Sequence, residues 1–174
     1  VYHEDPEILI TAINSVVDCD YPPACIHLFL SFDGDQIDEL YLNTLKALGV
    51  PDLNKYPVSL DVTYRGSQVT IARFPHGGKR NCQKKTFQLI DKVYAQYILR
   101  NDDMFILFID SDCILDEVCL QNFMYDMELS PKNKRDMLAM TGTFWHLTNA
   151  TAPTLAPGWS TPLCKLIINV CLCT

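Results

Sequence analysis

The fold class is decided by residues 104–112, which read MFILFIDSD. The first six residues of this stretch are all apolar, which is typical of a central strand that is covered on both faces of a parallel sheet. The stretch then changes abruptly to two carboxylates one residue apart, Asp110 and Asp112. Because ligands of open α/β sheets bind at the carboxyl ends of the strands, we expect a ligand site there.

Strand-like and helix-like patterns alternate on both sides of this stretch, up to residue 142. This alternation is typical of an α/β domain built on a mostly parallel sheet. Pro6 follows the capping residue Asp5 at the start of the first predicted helix, and Tyr21 and two prolines end it. The predicted strands cover residues 1–2, 26–32, 58–64, 69–74, 104–109 and 137–141, and further helices are predicted at 37–48, 82–99 and 117–129.

The pattern stops after Gly142. The last 32 residues contain no acid, and threonine, proline and alanine replace the alternation. We therefore expect one domain over residues 1–142 and an atypical tail over residues 143–174.

The net charge of -7 over 174 residues argues against a nucleic-acid binder, which needs a basic surface to neutralise phosphates. The charge is distributed in blocks, however. Residues 1–64 carry -9, residues 65–100 carry +7, residues 101–142 carry -6, and the tail carries +1. A basic segment between two acidic ones is consistent with a site in which cations hold a polyanion and acids hold a metal, although charge blocks are often only solvated surfaces.

The eight cysteines have no spacing that is typical of a zinc site, and no C-x-x-C pair occurs. Most of them lie in apolar stretches, so we expect reduced, buried thiols in a domain that faces the cytosol. No segment has the roughly 20 apolar residues that cross a bilayer. The longest candidate, residues 163–173, is short and contains Lys165.

Three segments at predicted strand ends have residues suited to one ligand. Asp110 and Asp112 would repel each other unless a cation lies between them, either Mg²⁺ or Mn²⁺ or a nearby lysine or arginine. The alternative for this triplet is a capping turn. Loop residues 76–80, His-Gly-Gly-Lys-Arg, combine glycines that allow close backbone approach with two cations that suit a pyrophosphate; alone they would indicate an exposed basic helix start.

The third segment is Asp33-Gly34-Asp35, where an acid can accept hydrogen bonds from a base or a ribose, although alone it is a turn. The three segments together predict a pocket for a metal-bound nucleotide diphosphate.

These motifs resemble those of processive family 2 glycosyltransferases. Glu4 near an initial strand, Asp33-Gly34, Gly78-Lys79-Arg80 and Asp110-Ser111-Asp112 occur in the order found in that family. Residues 76–115, with Tyr21-Pro22 and residues 31–34, look most like fungal chitin synthases. The resemblance covers about residues 1–142.

The resemblance implies a truncated, Rossmann-like GT-A fold and a site for UDP-N-acetylglucosamine. Glu4 and Asp33 would face the uridine, Lys79 and Arg80 the nucleotide and the diphosphate, and Asp110 the nucleotide-sugar side. Asp112 would bind the metal, Mg²⁺ or Mn²⁺. The full-length enzyme would extend a chitin chain at the cell membrane, with this domain on the cytosolic side and membrane segments elsewhere.

Two family motifs are missing from the sequence: the Glu-Asp motif that supplies the general base, and the Gln-x-x-Arg-Trp motif that holds the acceptor. We therefore expect no polymer from this chain alone, and our hypothesis for residues 143–174 is a foreign or misread segment. A related synthase for hyaluronan or cellulose, or a non-catalytic α/β binding module, are the alternatives.

Overall fold

The structure is a computed structural model, and it describes residues 5–99, 104–129 and 165–172. Within these ranges, helices flank a five-stranded sheet with the strand order β2-β3-β1-β5-β4. The strands are β1 (Ile26–Asp33), β2 (Ser59–Tyr64), β3 (Ser67–Phe74), β4 (Met104–Asp110) and β5 (Lys165–Leu172), and the helices are α1 (Pro6–Val17), α2 (Glu39–Ala47), α3 (Lys79–Leu99) and α4 (Cys119–Met124).

The sheet is mostly parallel, as the sequence predicted. Strand β1 runs parallel to β3 and β5, and β5 runs parallel to β4. Only β2 is antiparallel, because the tight turn at Arg65 and Gly66 reverses the chain between β2 and β3. Both turn residues have positive φ angles, 48° and 84°, as a two-residue hairpin turn of this hand requires. The carboxyl ends of β1, β3 and β4 therefore share one edge of the sheet.

The first two helices begin at caps that the sequence provides. The Asp5 carboxylate accepts a hydrogen bond from the Glu7 amide at 2.9 Å, and Pro6 follows as the first helical residue. The Asp38 carboxylate accepts one from the Tyr41 amide at 2.8 Å, so α2 begins two residues later than predicted. Helix α3 begins three residues earlier than predicted, at Lys79.

Strand β1 lies at the centre of the core, and all eight of its residues are buried. On one side, Leu28 and Leu30 belong to the main apolar cluster, which also contains residues of α1, α2 and β3. On the other side, Phe29 packs with Ile90 and Tyr94 of α3 and with Ile167 of β5. The loops that leave this strand are thus attached to the buried core.

The prediction that residues 104–109 are covered on both faces is wrong. Strand β4 is the last strand of the described sheet, and Ile106 and Phe108 are 40% and 46% exposed. Phe105, Leu107 and Ile109 point the other way and pack against the main core. The second face is covered only in part: Met104 packs against the Phe29 cluster, and the Phe108 ring lies 5.2 Å from the Phe87 ring of α3.

Strand β5 was not predicted, and it lies between β1 and β4. It comes from the predicted tail, of which residues 143–164, 173 and 174 lie outside the described residues. Pairing in the sheet does not reveal the origin of a segment, so the foreign-segment hypothesis stays a prediction. The predicted strands at residues 1–2 and 137–141 also lie outside the described residues.

The predicted helix at residues 117–129 is α4 followed by a π-helical turn, Tyr125–Leu129. None of the helices in the described ranges is long and apolar enough to cross a membrane. Cys19 and Cys82 are buried, whereas Cys25, Cys113 and Cys119 are half-buried. Burial raises the pKa of the Cys19 thiol to about 12.

Candidate functional site

The structure brings the three predicted segments together at one edge of the sheet. The Asp33 segment follows β1, residues 75–78 follow β3, and the Asp110-Ser111-Asp112 turn follows β4. Direct contacts link the first to the second and the second to the third. The parallel arrangement of the strands accounts for this, since residues that are far apart in sequence leave the sheet on the same side.

The Asp33 carboxylate is fully buried and joins the first two segments. Its Oδ1 accepts a hydrogen bond from the Gly77 amide at 2.9 Å, and its Oδ2 accepts one from the Gly78 amide at 2.8 Å. The Nδ1 atom of His76 lies 3.1 Å from the same Oδ2, with the imidazole ring largely exposed. The predicted contact of Asp33 with uridine stays a prediction.

The two glycines fit this loop for different reasons. Gly78 has a φ angle of 80°, which side chains rarely permit. A Cβ atom on Gly77 would lie 2.1 Å from the Asn81 side-chain nitrogen. The Gly78 carbonyl accepts hydrogen bonds from the amides of Asn81 and Cys82, so it begins α3. The basic segment is thus followed at once by a 21-residue helix, whose positive dipole end favours an anion.

Lys79, the first residue of α3, joins the second segment to the third. Its Nζ lies 2.5 Å from Asp110 Oδ1, and both side chains are about half exposed. A nearby lysine was one of the two cations expected beside Asp110 and Asp112, and the other was a metal ion. Asp112 is exposed at the same turn, which is closed by a hydrogen bond from the Cys113 amide to the Asp110 carbonyl. Arg80 is exposed on the first turn of α3.

The thiol of Cys113 shares this turn. Partial burial raises its pKa above the ordinary value, and the negative charges of Asp112 and Asp110 raise it further, against a backbone hydrogen bond that lowers it.

The donor set fits an open Mg²⁺ or Mn²⁺ site. Among the described residues, no group of three or more histidine, cysteine, aspartate or glutamate side chains is positioned to hold a metal. Mg²⁺ is commonly bound by one or two carboxylates and completes its shell with water and substrate phosphates. Asp110 and Asp112 match that arrangement, provided that a diphosphate supplies further oxygens.

Arg73 is a site residue that the sequence analysis missed. It lies in β3, is only 6% exposed, and donates from Nη1 to the carbonyl of Asp35 at 2.6 Å. Its Nη2 donates to the carbonyls of Tyr56 and Pro57 at 3.2 and 3.1 Å. A charged residue inside the apolar run of residues 69–74 was the available signal, because a buried charge needs partners.

One predicted site residue, Glu4, lies outside the described residues, so its predicted contact with the uridine stays a prediction.

The chain is similar in sequence to several known fungal proteins. It is 71% identical over 148 residues to chitin synthase 7 of Pyricularia oryzae and 68% identical over 148 residues to chitin synthase VI of Metarhizium acridum. Over most of its length, the chain matches fungal chitin synthases. Chitin synthase D of Aspergillus fumigatus is 64% identical to it over 150 residues. These three matches cover 84%, 84% and 86% of the chain.

The chain spans about a fifth of the length of these chitin synthases: 18%, 23% and 20% of the three proteins. No protein-family model matches it. No solved structure matches it. The resemblance that the motifs indicated is confirmed for chitin synthases.

Proposed function

We propose that this chain is the nucleotide-sugar-binding part of a chitin synthase. In the full-length enzyme it would bind UDP-N-acetylglucosamine with Mg²⁺ or Mn²⁺, and the sugar would pass to a growing chitin chain. The observation that carries the proposal is the match to chitin synthases at 64 to 71% identity over most of the chain. The contact between Lys79 and Asp110 at the sheet edge supports it.

In the proposed site, Lys79 and Arg80 bind the diphosphate, Asp110 lies on the nucleotide-sugar side, and Asp112 binds the metal. Mg²⁺ or Mn²⁺, when bound, supplies positive charge beside the diphosphate oxygens. Because Lys79 already contacts Asp110 through a flexible side chain, it can move between the carboxylate and a phosphate oxygen. Glu4 and Asp33 are the residues that the resemblance implies for the uridine.

The transfer step requires the acceptor hydroxyl to attack the sugar C1 as the bond from C1 to the diphosphate breaks. The electron pair of that bond leaves with UDP, and a base takes the proton from the hydroxyl. Lys79 and Arg80 accelerate the step if they hold the departing charge more tightly in the transition state than in the bound substrate. We propose that the base and the acceptor site come from segments that this chain does not span.

The location of the full-length protein follows from the same proposal. A synthase of this kind would be held at the cell membrane through segments outside the described residues, with this domain facing the cytosol. The free thiols of the described residues are compatible with a reducing compartment.

The proposal is tested by titrating UDP into the folded chain in a calorimeter with Mn²⁺ present. We expect saturable binding that Asp112→Asn abolishes and Lys79→Ala weakens. The matched controls are Asp91→Asn and Lys84→Ala, which alter exposed charges on α3. No binding of UDP by the folded wild-type chain would contradict the proposal.

A second titration separates the donors. UDP-N-acetylglucosamine should bind more tightly than UDP-glucose or UDP-glucuronate. A preference for either of the latter would favour a cellulose or hyaluronan type of synthase.

A further inference from the structure

Two buried, charged side chains hold the segments of the proposed site from beneath, and each holds the segment that follows the neighbouring strand. Asp33 lies at the end of β1, yet its carboxylate binds the amides of Gly77 and Gly78 in the segment after β3. Arg73 lies near the end of β3, yet its guanidinium binds the Asp35 carbonyl in the segment after β1. The two strands are parallel neighbours, and Phe32 pairs in register with Arg73.

The Arg73 guanidinium is bound without a carboxylate partner. No ion pair of Arg73 occurs among the described residues, and its partners there are three carbonyl oxygens and the ring of Tyr41, whose centroid lies 4.8 Å from Cζ. Its Nε has no hydrogen-bond partner in the described part of the chain. Burying a cation is unfavourable unless its surroundings compensate for the lost water. Here two loops supply that compensation, so the cation holds both loops in place.

The Asp33 carboxylate is the corresponding anion on the other side. Hydrogen bonds from two amides to one ionised carboxylate are stronger than bonds between neutral groups. They fix the backbone of Gly77 and Gly78 directly before Lys79, the residue that contacts Asp110. A change at Asp33 is therefore transmitted through the loop to the position of Lys79.

We propose that Arg73 and Asp33 are positioning residues that form a crossed clamp under the nucleotide-diphosphate site. Arg73 sets the loop after β1, which supports the nucleoside, and Asp33 sets the loop after β3, which supports the diphosphate. The inference rests on the proposed function for the identity of the ligand. It differs from a direct contact between Asp33 and uridine, because it assigns Asp33 to the diphosphate side.

The test compares Mn²⁺-dependent binding of two probes, UDP and inorganic pyrophosphate, by the 174-residue chain and its variants. Arg73→Met should raise the Kd for UDP about tenfold, the effect of losing a charge-assisted hydrogen bond, and should change the Kd for pyrophosphate less than about twofold. Asp33→Asn should weaken both ligands, because an amide side chain offers one acceptor oxygen to two amides. Arg65→Met and Asp18→Asn, which break an exposed ion pair at the other end of β3, are the controls and should change neither.

A second readout does not depend on the ligand. Amide hydrogen exchange at Gly77 and Gly78 should accelerate in Asp33→Asn and stay unchanged in the two controls. If Arg73→Met does not fold, Arg73→Lys replaces it. An ammonium group lacks the planar fork that directs Nη1 to one loop and Nη2 to the other, so UDP binding should still weaken severalfold.

The clamp is overturned if Arg73→Met, or Arg73→Lys in its place, binds both probes with the wild-type Kd. It is also overturned if the variant loses affinity for both probes equally, as a general structural defect would cause. It is also overturned if Asp33→Asn loses UDP alone while pyrophosphate binding and glycine exchange are unchanged, since that result indicates direct contact with the nucleoside. Wild-type chain that binds no UDP contradicts the proposed function instead, and the glycine exchange then tests the clamp by itself.

Discussion

The glycine pair before α3 determines where Lys79 is placed. Gly78 has a left-handed backbone and Gly77 has no room for a side chain, whereas a Cβ atom on Gly34 would have no neighbour within 4 Å among the described residues. Residue 78 thus requires a left-handed backbone and residue 77 requires space beside the Asn81 side chain, whereas neither requirement applies at residue 34. The loop geometry depends on these two residues as much as on the charged side chains.

Substitution of these glycines should therefore differ in cost. Gly78→Ala should destabilise the fold by roughly 1–2 kcal/mol, because alanine is strained in the left-handed region. Gly77→Ala should displace the Asn81 side chain. Gly34→Ala should leave stability nearly unchanged. Urea denaturation of the three variants checks this order, and equal stabilities for Gly34→Ala and Gly78→Ala would contradict it.

Single residues were predictable from sequence where their partner lies close by along the chain. Asp5 caps α1 through the amide of Glu7, two residues away, and the sequence pattern indicated it. Arg73 binds the carbonyls of Pro57, Tyr56 and Asp35, which lie 16, 17 and 38 positions away along the chain. No local pattern indicates such distant partners. The same holds for Asp33, whose partners Gly77 and Gly78 are 44 and 45 positions away.

At the scale of elements, a chain of polar side chains attaches α3 to the sheet, and its members His27, Thr70 and Tyr94 are buried. The Nδ1 atom of His27 in β1 lies 2.5 Å from the Tyr94 hydroxyl of α3, and its Nε2 lies 2.8 Å from Oγ1 of Thr70 in β3. The Thr70 hydroxyl in turn donates to Asp61 of β2 at 2.5 Å. Burial raises the pKa of Tyr94, so its hydroxyl keeps the proton that it can donate to His27.

The hydrogen bond between His27 and Tyr94 should be detected as coupling between the stability effects of substitutions at these two residues. Tyr94→Phe alone should cost about 1–3 kcal/mol of unfolding free energy, because it leaves a buried histidine nitrogen without its partner. With His27→Leu already present, the same change should cost clearly less, since the partner is gone. Chemical denaturation of the single and double variants measures the coupling. Additive costs would show that the two side chains do not act together.

The sequence-based predictions were least accurate for β4 and β5, the two strands on one side of the sheet. The apolar run of β4 predicts a strand correctly but not how far each face is covered, because Ile106 and Phe108 are as apolar as the more buried residues beside them. Strand β5 follows a stretch of sequence with no regular pattern, so no strand is predicted there. The order of strands in a sheet depends on pairing between distant segments, and local periodicity in the sequence carries no information about that pairing.

At the scale of the molecule, the charge blocks correspond to the strand ends. The acidic first block contains Asp33 at the end of β1, the basic block contains Lys79 and Arg80, and the second acidic block contains Asp110 and Asp112. The parallel sheet brings these blocks to one edge, where Lys79 contacts Asp110. This contact between opposite charges was predictable from sequence because the carboxyl ends of parallel strands lie at the same edge of the sheet. The buried contacts of Asp33 and Arg73 beneath the site were not predictable.

We infer that this edge of the sheet binds a metal-bound nucleotide diphosphate, and a melting scan of the chain with and without Mn²⁺ plus UDP tests this binding. A ligand bound only by the native state, at about 100 times its Kd, stabilises it by about 2.7 kcal/mol, so the midpoint should rise by roughly 5–10 °C. The rise should need both Mn²⁺ and UDP, should be absent in Asp112→Asn, and should persist in Asp91→Asn. Equal melting of the wild-type chain with and without the ligands would contradict the claim.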